Sequence, residues 1–256
     1  MFGPLSSQPL LIFAVSFVLL WLSARTGFSV LRRRRRLDED ARDDFSVVLA
    51  ATLTLLGLII GFSFSMAVSR YDQRKNYEEA EANAIGTELV RAGLLPAADA
   101  AKVRVLLRTY LEQRIAFYLT RDDEALRAVN ARTAQLQSDL WSAIEGPARA
   151  QPTPIVALAV AGMNDVLNAQ GYTQAAWWNR IPNAAWGLMG LIALCSNVLV
   201  GYGAQSAKSG GGMLLILPLV VSIAFLLIAD IDSPRGGLIH VAPQNLRSLL
   251  ESLPPG

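Results

Sequence analysis

The sequence predicts an all-α membrane protein, with four transmembrane helices in two hairpins and a helical extramembrane domain inserted between them. Apolar residues make up 52% of the 256-residue chain and charged residues only 17%, which is more apolar than an ordinary soluble domain. The apolar residues gather into four blocks, at 9–25, 46–68, 183–203 and 213–229. Each has about the length a helix needs to cross a hydrocarbon core of ~30 Å at ~1.5 Å per residue. Between the second and third blocks, residues 70–180 carry thirteen basic and thirteen acidic side chains, the composition of a solvated helical region. No strand-like alternation of useful length interrupts them.

The chain therefore divides into a first membrane hairpin with a basic loop (1–69), a helical extramembrane domain (70–181), a second membrane hairpin (182–230) and a C-terminal tail (231–256). Nothing charged precedes the first apolar block, and its basic residues follow it. That is the reverse of a secretory signal, so the helix is expected to be retained. The run Arg32 to Arg36 follows, then an acidic patch from Leu37 to Asp44, and the second helix begins at about Phe45. That helix passes Arg70 with no Pro or Gly to stop it.

In the inserted domain Val103, Leu106, Leu107, Tyr110, Leu111, Phe117 and Tyr118 fall on one helical stripe between Pro96 and Thr120, with Arg104, Arg108, Glu112 and Arg114 mostly elsewhere. Thr120 and Asp123 have capping-box spacing for a helix carrying Leu126, Val129, Leu136, Leu140, Trp141 and Ile144 and ending at Gly146-Pro147. Another helix is expected over Pro154 to Asn168. Pro182 opens the third membrane helix, with Trp177, Trp178 and Trp186 placed for an aromatic belt. The loop "AQSAKSGGG" makes a flexible hairpin, Pro218 is positioned to kink the fourth helix, and Leu246 to Leu253 forms a short amphipathic helix.

Several chemistries lack their residues. The single cysteine, Cys195, can form neither an internal disulfide nor a metal site, and is expected to be packed. His240 is the only histidine, so no histidine pair can bind metal, and it reads as a surface or interface residue. A formal charge of +2 gives no argument for a nucleic-acid partner. No ionisable side chain sits at the centre of a membrane block, which argues against a proton-coupled transporter. Asn197 is expected to make an interhelical hydrogen bond. No nucleotide loop, nucleophile elbow or zinc signature is present, so neither an enzyme nor a cofactor is expected.

The second helix carries the most information. Gly57 and Gly61 form a G-x-x-x-G pair, and with Ser63, Ser65 and Ala67 they make a small-residue face suited to close packing. Thr54, Leu58, Phe62 and Met66, spaced by four, form a second stripe that in a symmetric ring becomes a narrow apolar constriction. Beyond it Glu78, Glu79 and Glu81 follow Arg70, Arg74 and Lys75, reading as a solvated helix with i,i+4 pairs of Arg74 with Glu78 and Lys75 with Glu79. Asp230 and Asp232 leave the fourth helix together with Ser233. Calcium takes about six to eight oxygens, so they read first as a helix boundary and second as a cation site.

Gly61-Phe62, seven further residues and then Arg70-Tyr71 resemble the pore helix of bestrophins. The continuation, above all Glu81-Ala82-Asn83-Ala84-Ile85-Gly86-Thr87, is similar to a bacterial bestrophin-like family, as is Asp232-Ser233-Pro234 after the last membrane helix. The resemblance implies a homo-oligomeric, pentameric ion channel in the lipid bilayer whose second helix forms the neck, at Thr54, Leu58 and Phe62. Thr54 departs from the bulky apolar residue of animal bestrophins. In such a ring Glu78 and Glu79 would form a charged vestibule that gathers cations, and the segment at Asp230 and Asp232 corresponds to one that takes part in calcium binding in animal bestrophins. Bestrophins keep their helical domain and termini in the cytoplasm. Here the loop holding Arg32 to Arg36 and Arg42 argues for a periplasmic N terminus, helical domain and tail in a bacterial inner membrane. The alternative is a non-conducting scaffold or sensor whose helical domain binds a partner.

Overall fold

A computed structural model describes residues 8–31, 39–204 and 207–254. The run Arg32 to Arg36, the start of the acidic patch and part of the "AQSAKSGGG" loop lie outside the described residues. Among those described, the regular structure is helical with no strand, as an all-α chain requires. The helices are α1 (Pro9–Thr26), α2 (Glu39–Arg91), α3 (Ala97–Leu119), α4 (Asp123–Ala150), α5 (Pro154–Trp178), α6 (Asn183–Gly203), α7 (Ala207–Asp232) and α8 (Gln244–Ser252). Helical stretches within Pro9–Ser29, Ala41–Leu94, Pro154–Gly203 and Leu214–Asp232 are long and apolar enough to cross a membrane. The residues fall into two compact units, 1–70 with 180–240 and 71–179 with 241–256.

In the first unit α1 packs along both α6 and α7. Its crossing with α6 is set by glycine. A Cβ on Gly201 would strike the Ala24 carbonyl, and a Cβ on Gly27 would strike the Val198 carbonyl. Two backbones meet there directly, and Ala24 is fully buried between them. α1 passes at this point into a π-helical turn, Gly27–Leu31. Phe45 of α2 packs edge-on against Tyr202 of α6, with ring centroids 5.5 Å apart. Asn197 is buried but donates to Ala193 of its own helix at 2.8 Å, so its expected bond to another helix is replaced by one along α6. Cys195 is exposed rather than packed.

The second unit closes around Ile85, Val103, Leu107, Leu111, Leu136, Leu140, Ile144, Met163 and Leu246. α3 packs on α4 and α8, and α4 on α5. α4 is capped by Asp122, which accepts from the Ala125 amide at 2.7 Å, whereas Thr120 turns back to the Ala116 carbonyl at the end of α3. Pro147 does not end α4, which continues to Ala150. A proline inside a helix forfeits one hydrogen bond and crowds the carbonyl four residues back, which strains the helix without having to end it. α5 outruns its expected end at Asn168 and runs through Gly171 to Trp178, since no proline follows until Pro182. Trp177, expected at a membrane interface, is instead in the core, edge-on to Phe117 and Tyr118 at 4.9 and 5.4 Å. Its neighbour Trp178 is 75% exposed.

Candidate functional site

α2 is a single helix of 53 residues, and its residues to Arg70 belong to the first unit. Within that part Leu56, Ser63 and Ala67 are buried, at steps of seven and four that keep them on one side of a helix turning about 100° per residue. The sequence-derived stripe is not on that side. Thr54 is exposed, as are Leu58 (52%), Phe62 (64%) and Met66 (38%). Gly57, Gly61 and Ser65 are exposed too, and a Cβ built on either glycine meets nothing within 4 Å. The close glycine crossing of this unit is the one between Gly27 and Gly201, not one at the G-x-x-x-G pair.

Asp230 and Asp232 are turned inward. Asp230 accepts from the amides of Leu238 and Ile239, both at 2.8 Å, where the chain folds back through Gly237 at φ +83°. Only a residue without Cβ adopts that turn freely, and a Cβ there would also strike the Asp230 carboxylate. Asp232 accepts from the Ile181 amide through both oxygens at 3.1 Å and lies 3.5 Å from Arg70. These carboxylates are therefore committed to backbone amides and an arginine. The two groups fasten chain segments around the end of α7, as the helix-boundary reading has it.

In the second unit α2 turns a charged stripe into the interior. Arg74, Glu78, Glu81 and Glu88 are all at most 1% exposed, at helical spacing with buried Ile85. Glu81 is held by the Arg114 guanidinium, whose Nε donates to Oε1 and Nη2 to Oε2 at 3.4 Å. Thr173 and Tyr118 hydroxyls add 3.2 and 3.4 Å contacts to Oε2, and Arg114 stacks 4.4 Å over the Phe117 ring. Burial opposes the charge on Arg114, but Glu81 and the neighbouring phenols outweigh it and hold its pKa above the ordinary value. The Tyr118 and Tyr110 hydroxyls are pushed up, first by burial and then by Glu81. Both phenols are thus neutral at any physiological pH, Tyr118 donating to Glu81 and Tyr110 accepting from Gln137 Nε2 at 3.4 Å.

Glu78 is not free to form a vestibule. Its carboxylate accepts from Leu246 N at 2.9 Å and Asn245 Nδ2 at 2.6 Å, at the first turn of α8. A carboxylate there satisfies orphan amides and faces the positive end of the helix dipole. Of the two glutamates expected at a vestibule, Glu78 is thus engaged by α8 and buried, whereas Glu79 is exposed. Glu78→Ala should strand the buried Leu246 amide at a cost of about 1–3 kcal/mol. Limited proteolysis should then cut ahead of α8 faster than in the parent, and equal rates would show that α8 is held by its leucines alone.

Long apolar helices with charges confined to their ends and to the second unit define a multi-pass membrane protein. A Bestrophin-like domain matches residues 10–246. The chain belongs to the bestrophin-like family. No curated protein matches it, but solved structures do. A crystal structure of a bacterial bestrophin homologue from Klebsiella pneumoniae, solved by zinc phasing, shares 16% identity over 96% of this chain and 99% of its own, with a TM-score of 0.61. Two point variants of a bacterial bestrophin homologue from Klebsiella pneumoniae share 14% identity. They cover 93% and 95% of this chain, 98% and 95% of their own, with TM-scores of 0.63 and 0.64. At these identities the likeness is one of fold.

Proposed function

We propose that the chain is an ion-channel subunit that assembles with copies of itself into a closed ring, five-fold as in bestrophins, with α2 beside the axis. Thr54, Leu58, Phe62 and Met66 form the neck in this reading. The observation that carries it is their exposure. Bulky apolar side chains point away from their own subunit on a helix whose opposite side is buried. An axial ring of such side chains makes a constriction that opens and closes by wetting. Glu79 supplies the charged approach to it, and Gly57, Gly61 and Ser65 supply close contacts between neighbouring subunits. The arginine-rich loop supports a bacterial inner-membrane location with the N terminus, helical domain and tail on the periplasmic side.

Electron cryo-microscopy of the detergent-purified protein tests the ring, and bilayer recordings test the neck. A closed ring with Leu58 and Phe62 on the axis is expected, and Phe62→Ala should raise unitary conductance several-fold by widening the narrowest part. A monomer or dimer, or Phe62→Ala currents equal to the parent's, would instead favour a non-conducting scaffold or sensor whose apolar stripe faces lipid.

A further inference from the structure

Glu88 stands apart from the other buried acids of α2. Glu78 is satisfied by α8 and Glu81 by Arg114, but both Glu88 oxygens lack a hydrogen-bond donor among the described residues, although the side chain is 0% exposed. One oxygen lies against Gly162 of α5, where a Cβ would collide with it, and Arg91 borders the same glycine. Gly162 is thus the gap that admits the carboxyl group. An ionised carboxylate without donors is strongly disfavoured in such a place, whereas a neutral acid is tolerated.

The charged groups around it come from three elements. Arg91, also on α2, pairs with Asp165 of α5 at 3.7 Å. From α3, Arg104 reaches the adjacent Leu89 carbonyl at 3.4 Å. Burial lifts the Glu88 pKa to about 8, against a downward pull from Arg91 and with a further push from Asp165. With no exposed surface on Glu88, a second chain cannot supply the missing donor unless α5 moves first.

We propose that Glu88 is a pH switch in the contact between α2 and α5. Protonated, it lets α5 close over it at Gly162. When the proton passes to solvent, the carboxylate draws Arg91 away from Asp165 and loosens this contact. The sign follows from linkage: the folded state holds the proton more tightly than the unfolded chain. The stabilisation is complete below the ordinary carboxylate range and is lost as pH rises through about 8.

The test uses the full-length protein in detergent, with thermal unfolding and amide exchange of residues 154–178 followed from about pH 4 to about pH 9.5, a range that brackets the free and the buried carboxyl. The parent should lose several degrees of unfolding temperature, and roughly tenfold in α5 protection beyond the intrinsic pH effect on exchange, falling steadily above the ordinary carboxylate range and levelling off at a break near 8. Glu88→Gln, equal in shape and never ionised, should lack this decline. Asp165→Asn removes a charge that opposes ionisation and should move the break to lower pH, so it decides the matter even if the Gln variant fails to fold. Parallel profiles for parent and Glu88→Gln, or an unmoved break in Asp165→Asn, would overturn the proposal.

Discussion

Arg114→Leu should unfold or severely loosen the second unit, at a cost of about 3–5 kcal/mol. The size follows from what remains. Arg114 and Glu81 are both 0% exposed, so removing the guanidinium strands a carboxylate whose other contacts are two hydroxyls at 3.2 and 3.4 Å. Two neutral hydroxyls do not offset the desolvation of a charge. Arg114→Lys should also be costly, because an ammonium keeps the charge but loses both the two-pronged geometry and the stacking on Phe117. The double change to Glu81→Leu with Arg114→Leu should recover much of the loss, since it leaves no charge behind. Denaturant unfolding of the parent, Glu81→Leu, Arg114→Leu and the double variant closes a double-mutant cycle. A cost below about 1 kcal/mol for Arg114→Leu, the level of an exposed pair, would show that the pair does not hold this unit together.

Gly201→Val should be the most damaging small substitution in the first unit. The added Cβ meets the Ala24 carbonyl and, at 3.0 Å, the Phe28 amide, all of it backbone that cannot rotate aside. Overpacking of this kind costs about 1–3 kcal/mol and more where backbone must move. α1 would have to be pushed off α6, and Gly27 on the facing helix leaves no slack, since its own Cβ would meet the Tyr202 amide at 3.0 Å. A fall of several degrees in the unfolding temperature in detergent is expected, against none for Gly187→Ala, whose added methyl points into open space within the subunit. Equal effects would mean that the crossing is looser than its geometry.

Much of the fold was legible because the bilayer imposes a one-dimensional rule: an apolar run is either long enough to span or it is not. The four blocks, the amphipathic stripe from Val103 to Tyr118 and the terminal helix all follow from spacing alone. The buried charges were not legible. Arg114 lies among Val103, Leu107 and Tyr110 on the inward face, but a charge read along the chain is assigned to water. Its partner, thirty-three positions away, leaves no mark on local periodicity. One signal was present: Arg74, Glu78, Glu81, Ile85 and Glu88 repeat at four and three, the spacing of a buried stripe. Composition overrode periodicity there. The glycine crossing within the subunit was not legible either, because Gly27 and Gly201 come from helices distant in sequence, whereas G-x-x-x-G directs attention to α2.

The bareness of Gly57 and Gly61 acquires its meaning from the solvent around α2. In water, Leu58 and Phe62 would drive any two copies together simply by leaving the aqueous phase. In lipid that incentive vanishes, because acyl chains are as apolar as leucine, and association must come from shape, from backbones near enough for dispersion and weak C–H contacts to accumulate. The bulky side chains therefore contribute little to choosing a neighbour. On the ring proposed above, it is the absence of side chains at two positions that makes one copy recognisable to the next.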